Sequence, residues 1–178
     1  MKFLATKVNG VFEVQPEPLV DARGAFMRSW CAREFSEQGL SGNLVQCSIA
    51  WNPMKGTLRG MHLQEAPFAE SKLVRCTRGA IYDVAIDLRP ESPTFKKWTG
   101  SLLTAENRNM LYIPEGCAHG FLTMEDESEV YYQMSQFHDP GSARGFRWND
   151  PAFQIEWPEE PALISSRDQS FPDFVHFA

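Results

Sequence analysis

The sequence is poor in cysteine and has no surplus of basic residues. Its four cysteines, Cys31, Cys47, Cys76 and Cys117, stand far apart and form no CxxC pair. This spacing disfavours a zinc or dithiol redox site and is typical of free thiols in a reducing compartment. Acidic residues outnumber basic ones by 23 to 17, which gives a net charge of −6. That balance argues against nucleic acid or an anionic membrane as partner, but allows one anionic ligand held by a few arginines.

Long apolar runs, internal repeats and low-complexity linkers are also missing. No segment approaches the length of a membrane span, and the first residues have no signal-peptide core. We therefore expect a cytoplasmic protein with no membrane association. The length of 178 residues fits a single domain over residues 1–178, large enough to bury a substantial core.

The residues that the sequence does contain favour β-strands. Aromatic residues make up 12% of the chain, and 12 glycines and 12 prolines are spread along it. Ala80–Leu88 alternates strictly, with Tyr82, Val84, Ile86 and Leu88 on one face of the predicted strand. Asp83, Ala85 and Asp87 occupy the other face, so that face is either solvent-exposed or lines the wet lumen of a barrel. Lys72–Thr77 also reads as extended, and Arg78-Gly79 predicts a hairpin turn between the two strands.

Further along, Asn109–Ile113 and Val130–Phe137 read as strands, and 114–116 as a turn. One short helix is predicted at Cys31–Gln38, ended by Gly39. Beyond residue 140, proline-containing turns indicate an irregular tail. The chain is therefore predicted to be all-β, a sandwich or a barrel with a few short helices.

Three groups of polar residues could carry chemistry. Arg59, His62 and Gln64 lie within an apolar segment, with His62 and Gln64 on one face of a strand. His119 follows a turn at the start of the next strand, and of the adjacent Tyr131 and Tyr132 one must point inward. Each residue alone is more often structural than catalytic, but their shared position on strand edges of a barrel favours a ligand site.

These residues belong to a longer series of motifs over about residues 10–170. Residues 114–119 have the form P-x-G-x-x-H of the second cupin motif, which is weakly specific alone. The other motifs are Asp21–Gly24, Arg59–Gln64, Lys72–Val74, Asp83–Arg89, Ser92–Phe95, Ile113–Phe121, Trp148–Pro151 and Ile155–Pro158. In order and spacing the whole series resembles the dTDP-4-dehydrorhamnose 3,5-epimerase family.

The resemblance implies a cupin or jelly-roll β-barrel that acts without metal or other cofactor. It implies an isomerase for a nucleotide-linked 4-keto-6-deoxyhexose, and a homodimer with strands shared between subunits. A C4 ketone acidifies the hydrogens at C3 and C5, because the carbanion delocalises onto O4 as an enolate. Inversion then needs a base on one face of the sugar, an acid on the other, and a cation or donor at O4.

Matching positions assign these roles. The resemblance makes His62 the base, Asp168 the carboxylate that orients its imidazole, and Lys72 the cation beside O4. Tyr132 matches the acid on the opposite face, and His119 with Asp83 matches a supporting pair. The matching substrate-binding positions are Arg23 and Arg59 for the diphosphate, with Phe26 and Gln46 also at the ligand.

The chain departs from the family at six positions, where it has Arg28, Ser48, Ala50, Gln133, His138 and Ala143. These lie in segments that hold the nucleotide and orient the sugar, so they indicate either an altered substrate or drift within the ordinary enzyme. Three other classes stay open. They are a metal-dependent cupin enzyme, a non-catalytic sugar-nucleotide binder, and an isomerase that moves the ketone between C3 and C4. The metal-dependent enzyme is disfavoured because the first motif offers His62 and Gln64 rather than two histidines.

Overall fold

The computed structural model describes residues 1–174 of the chain, and strands dominate this range. The all-β prediction is confirmed. The strands are β1 Lys2–Ala5, β2 Phe12–Gln15, β3 Leu19–Asp21, β4 Gly24–Phe26, β5 Gln46–Asn52, β6 Thr57–Gln64, β7 Lys72–Arg78, β8 Ala80–Asp87, β9 Trp98–Thr104, β10 Met110–Ile113, β11 Cys117–Thr123, β12 Ser128–Met134, β13 Ala143–Gly145 and β14 Leu163–Ile164. The helices are α1 Ala32–Glu37 and α2 Ser166–Gln169.

Two sheets form a cupin-like barrel. The first has six strands in the order β1-β2-β10-β7-β12-β5, and the second has the order β13-β6-β11-β8-β9. All neighbours on these paths are antiparallel, whereas β14 pairs in parallel with the start of β6. Strands β3 and β4 form a separate hairpin.

The core lies between the two sheets. Val74 and Val130 of the six-stranded sheet belong to one buried cluster with Ile81, Ala85 and Phe121 of the other sheet. All five are fully or almost fully buried, and burial of this kind stabilises each large aliphatic side chain by about 1.5–3 kcal/mol. Apolar contacts between the sheets therefore set the distance at which polar groups from both sheets meet.

Strand β8 is buried on both faces. Val84 and Ile86 pack outside the five-stranded sheet, with Phe146 and Phe153. Asp83, on the opposite face, is also completely buried. The polar face of the predicted strand is therefore the barrel lumen rather than the solvent surface.

Helix α1 buries Phe35 against an aromatic cluster on the outer face of the six-stranded sheet. The helix is one residue shorter at each end than predicted, because Cys31 and Gln38 are its caps. Gly39 has φ +71°, the left-handed conformation that favours glycine after a helix.

Two expectations need correction. Strand β12 ends at Met134 rather than Phe137, one residue before the Ser135 N–H donates to the carbonyl of Ser71, the residue that precedes β7. The tail beyond residue 140 is less irregular than predicted, because it contains β13, β14 and α2.

Apolar side chains stay exposed on an edge strand and on a hairpin. Strand β5 ends the six-stranded sheet, and its Ile49 and Trp51 are 63% and 56% exposed. On the β3–β4 hairpin, Leu19, Val20 and Phe26 are each more than 70% exposed. Within residues 1–174, no helix has both the length and the apolar character needed to cross a membrane.

Candidate active site

An imidazole–carboxylate pair stands at the mouth of the barrel. His62 on β6 places Nε2 at 2.8 Å from Oδ1 of Asp168, which belongs to the single turn of α2. The second carboxylate oxygen accepts the Gly60 N–H at 3.2 Å, and the Ser165 side chain caps the helix by accepting the Asp168 N–H. Burial alone would raise the pKa of Asp168, but the hydrogen bonds from His62 and Gly60 hold it below its usual value.

The exposures of this pair differ. The Asp168 side chain is 6% exposed and the His62 side chain 37%. A buried, ionised carboxylate therefore orients an imidazole whose edge remains open to a ligand. That arrangement suits a general base, since the carboxylate also stabilises the imidazolium formed when the base takes a proton.

Lys72 comes from the opposite sheet. It is the first residue of β7, and its Nζ lies 3.4 Å from the backbone carbonyl oxygen of His62. It also forms an ion pair with Glu70 at 3.1 Å. The ammonium group therefore lies beside the strand that carries the imidazole, as a cation paired with a developing oxyanion requires.

A second histidine–aspartate pair lies deeper. His119 Nε2 on β11 is 2.7 Å from Oδ1 of Asp83 on β8, and both side chains are almost fully buried. The other oxygen of Asp83, Oδ2, has no hydrogen-bond partner in residues 1–174. His119 is directly opposite His62 in the ladder, so the two pairs lie side by side on neighbouring strands.

Tyr132 on β12 is the inward-pointing member of the tyrosine pair. Its ring packs edge-on to His119 at 6.0 Å between centroids and contacts Phe121 at 6.4 Å. Burial, together with the nearby charge of Asp83, raises the pKa of Tyr132 above its usual value. The phenol is therefore protonated at neutral pH and can serve as an acid, not as a base.

Arg59 provides a guanidinium next to the imidazole. It lines a cavity of about 340 Å³ together with His62 and Asp168, and its Nε donates to Asn52 Oδ1 at 2.8 Å. Arg167, one residue before Asp168, lines the same cavity. Two guanidinium groups beside one imidazole suit a ligand that carries phosphate.

Gln46 begins β5, next to β12. Its Oε1 accepts the backbone N–H of His138 at 3.1 Å. Two of the departures from the family, Ser48 and Ala50, follow it at two-residue intervals and share its face of the strand. Ser48 lies directly opposite Tyr132, and Ala50 and Tyr132 pack against the same core cluster. These two departures therefore lie beside the predicted acid.

The fold keeps Arg23 and Phe26 apart from the other predicted site residues. Both are on the β3–β4 hairpin, where they line a separate shallow depression. The Arg23 side chain is 89% exposed and forms an ion pair with Asp21. Within residues 1–174, no hydrogen bond, ion pair or ring contact joins either of them to His62 or Asp168.

Sequence reasoning missed two residues here. Glu70 stands in the connection between β6 and β7 and belongs to no motif, yet its side chain is only 10% exposed. Arg167 sits in the tail that was predicted to be irregular. Its position directly before Asp168 is the signal that could have identified it.

A metal centre has little support from the side chains. No group of three or more histidine, cysteine, aspartate or glutamate residues with metal-binding geometry occurs in the described part of the chain, residues 1–174. His62 and His119 each pair with a single carboxylate instead. The prediction that no metal takes part remains to be tested by experiment.

Comparison with known proteins gives consistent matches over nearly the whole chain. The profile of the dTDP-4-dehydrorhamnose 3,5-epimerase family matches residues 5–176. The chain is 41% identical to the dTDP-4-dehydrorhamnose 3,5-epimerase of Shigella flexneri, with 99% of each chain covered. A crystal structure of the enzyme of that name from Elizabethkingia anophelis superposes with a TM-score of 0.95 at 36% identity, covering 98% of this chain and 96% of that one.

Among the matching structures, one contains a 4-keto sugar nucleotide. It is the Legionella pneumophila 3,5-epimerase in complex with dTDP-4-keto-L-rhamnose. The chain is 32% identical to it with a TM-score of 0.89, and the match covers 96% of this chain and 90% of that one.

Proposed function

Because the chain belongs to the dTDP-4-dehydrorhamnose 3,5-epimerase family, we propose that its substrate is a dTDP-linked 4-keto-6-deoxyhexose and that both C3 and C5 are inverted. The general activity is that of the family: the protein is an isomerase that epimerises a nucleotide-linked 4-keto sugar through an enolate. The likeness to proteins named dTDP-4-dehydrorhamnose 3,5-epimerase supports the nucleotide and the two carbons, and the His62–Asp168 pair in a cavity that Arg59 also lines is the observation that carries the chemistry.

In this mechanism His62 removes the proton next to the ketone. Asp168 holds the imidazole in one orientation and stabilises the imidazolium that forms. Electrons from the broken C–H bond move to O4, and the Lys72 ammonium stabilises the resulting enolate oxygen. Loss of a donor at such a position costs about 10²–10³ in rate.

Tyr132 returns a proton to the opposite face of the carbon. Support comes from its place on the six-stranded sheet, whereas His62 is on the other sheet, and from its raised pKa. His119 and Asp83 fix the wall of the pocket against the Tyr132 ring. The proton taken and the proton given then belong to different faces, which is what inversion requires.

The diphosphate binds to arginine. The position of Arg59 on the cavity wall supports this role. Gln46, two residues from Ser48 on the inner face of β5, contacts the sugar nucleotide from the six-stranded sheet.

We propose that Arg23 and Phe26 complete the site of a second subunit. They lie away from the cavity of their own chain, on a hairpin whose apolar side chains are exposed. Together with the exposed Ile49 and Trp51 on the edge strand β5, this surface supports a homodimer. Light scattering should then give a mass of about twice 20.2 kDa. A monomer at assay concentrations would contradict this part of the proposal.

The four free cysteines support a reducing, cytoplasmic setting.

Incubation in D₂O with dTDP-linked 4-keto-6-deoxyhexose tests the function. NMR should show enzyme-dependent deuterium at C3 and C5 together with the inverted sugar. The UDP-, GDP- and CDP-linked sugars serve as comparisons, and a higher kcat/KM for one of them would overturn the choice of nucleotide. Deuterium at one carbon only would overturn the double inversion. No uptake from any of these sugars would indicate a binding protein that kept the fold.

A further inference from the structure

The ion pair between Glu70 and Lys72 is unusually well shielded from solvent. The two side chains are only 10% and 11% exposed, and Glu70 Oε1 lies 3.1 Å from Lys72 Nζ. By contrast, the pair between Glu65 and Arg144 on the same side of the barrel is about 40% exposed at both partners. Charges with so little solvent contact are stable only when paired and oriented.

The segment that carries Glu70 is fixed to the sheet. The Ser71 N–H donates to Ser135 Oγ at 2.8 Å, and the Ser71 carbonyl accepts the Ser135 N–H at 3.0 Å. Ser71 is buried. The carboxylate therefore projects from an anchored backbone.

Two contacts constrain the Lys72 ammonium. One N–H direction points to Glu70 and another to the carbonyl oxygen of His62 at 3.4 Å. An ammonium has three N–H donors, so one donor is left for a ligand. A group held by two protein acceptors before the substrate arrives needs no reorganisation when negative charge develops.

We propose that Glu70 is a positioning residue for the epimerisation: it holds the Lys72 ammonium against the His62 carbonyl, aimed at O4 of the enolate. This inference rests on the proposed role of Lys72. Glu70 contacts no substrate in this scheme, and it acts on the transition state through Lys72 alone.

The role predicts a defined kinetic signature. Glu70→Ala should lower kcat about 10- to 100-fold, less than the loss of the donor itself, with KM within about threefold of wild type. Deuterium exchange and inversion should fall by the same factor, since both pass through the enolate. Glu70→Gln keeps the shape and an acceptor oxygen, so it should recover part of the loss. Glu70→Gln also provides the test if Glu70→Ala fails to fold.

A double-mutant cycle separates positioning from a structural effect. In the Lys72→Met background, Glu70→Ala should change the exchange rate by less than about twofold, because the group it positions is gone. The matched control is Glu65→Ala, which removes the same charge from the same β6–β7 connection. The Glu65 side chain pairs with Arg144 instead. Glu65→Ala should leave kcat at the wild-type value.

Three results would overturn the inference: an unchanged or raised kcat in Glu70→Ala, an equal loss in the Lys72→Met background, or an effect on KM alone. Wild-type exchange in Lys72→Met would instead refute the role assigned to Lys72. Absence of exchange in the wild-type protein would refute the proposed function.

Discussion

Replacement of Tyr132 by phenylalanine tests the two-face mechanism most directly. The substitution removes one oxygen and leaves the ring that packs against His119 and Phe121. Within residues 1–174 no group hydrogen-bonds the Tyr132 hydroxyl. Its loss should therefore change the free energy of unfolding by no more than about 1 kcal/mol.

The catalytic effect should be far larger. A missing general acid costs about 10²–10⁴ in rate, which corresponds to about 3–5 kcal/mol of transition-state stabilisation. Proton removal by His62 does not depend on the phenol. The enolate should then be reprotonated by the same imidazolium, from the face that lost the proton. Deuterium should enter the sugar without a change of configuration.

The assay follows both quantities by NMR in D₂O. Wild type should invert about as fast as it exchanges, whereas Tyr132→Phe should continue to exchange after inversion has nearly stopped. Tyr131→Phe is the matched control, because the neighbouring side chain points outward, where its hydroxyl interacts with Cys47. It should invert at the wild-type rate. Inversion by Tyr132→Phe at the wild-type rate would refute the reasoning and make Tyr132 a packing residue.

Three further predictions concern the base, its carboxylate and metal. His62→Ala should abolish exchange and inversion together, by at least about 10²–10⁴, in the same NMR assay; retained exchange would assign the base elsewhere. The lowered pKa of Asp168 means that its stabilisation is present above the ordinary value of 3.8 and is lost as the pH falls through the folded-state value. Urea unfolding should therefore show Asp168→Asn to be about 1–3 kcal/mol less stable than wild type at pH 7, with the two converging below pH 3.8; a constant gap would contradict the linkage. Activity should survive exhaustive chelation, and a stoichiometric metal whose removal stops turnover would favour the metal-dependent cupin class.

Elements with strong local patterns were predictable from the sequence. The alternation in 80–88 matches β8 to within one residue. The helix at residues 31–38 was found because Gly39 supplies a common C-terminal signal. Strand β14 and helix α2 carry no such pattern, since two and four residues are too few to show periodicity. Strand β14 forms because it pairs with β6, which is a tertiary contact. Helix α2 is capped by Ser165, which is a single-residue effect.

The site was predictable only in part for a similar reason. The family resemblance identified His62 and Asp168, but no local rule joins residues 106 positions apart. In the sequence, Glu70 looks like any other acidic residue in a loop, here the connection between β6 and β7. Its importance appears only when the burial of its side chain and its distance to Lys72 are measured.

The attachment of Asp168 has a consequence for the timing of synthesis. The six-stranded sheet is fully encoded by Met134, the end of β12. A growing chain can therefore assemble most of its barrel while the imidazole still has no carboxylate. Likewise, a protease that cut the exposed chain near Glu160 would remove the orienting group and spare most of the strands. The imidazole therefore receives its carboxylate from a part of the chain that is synthesised after the six-stranded sheet.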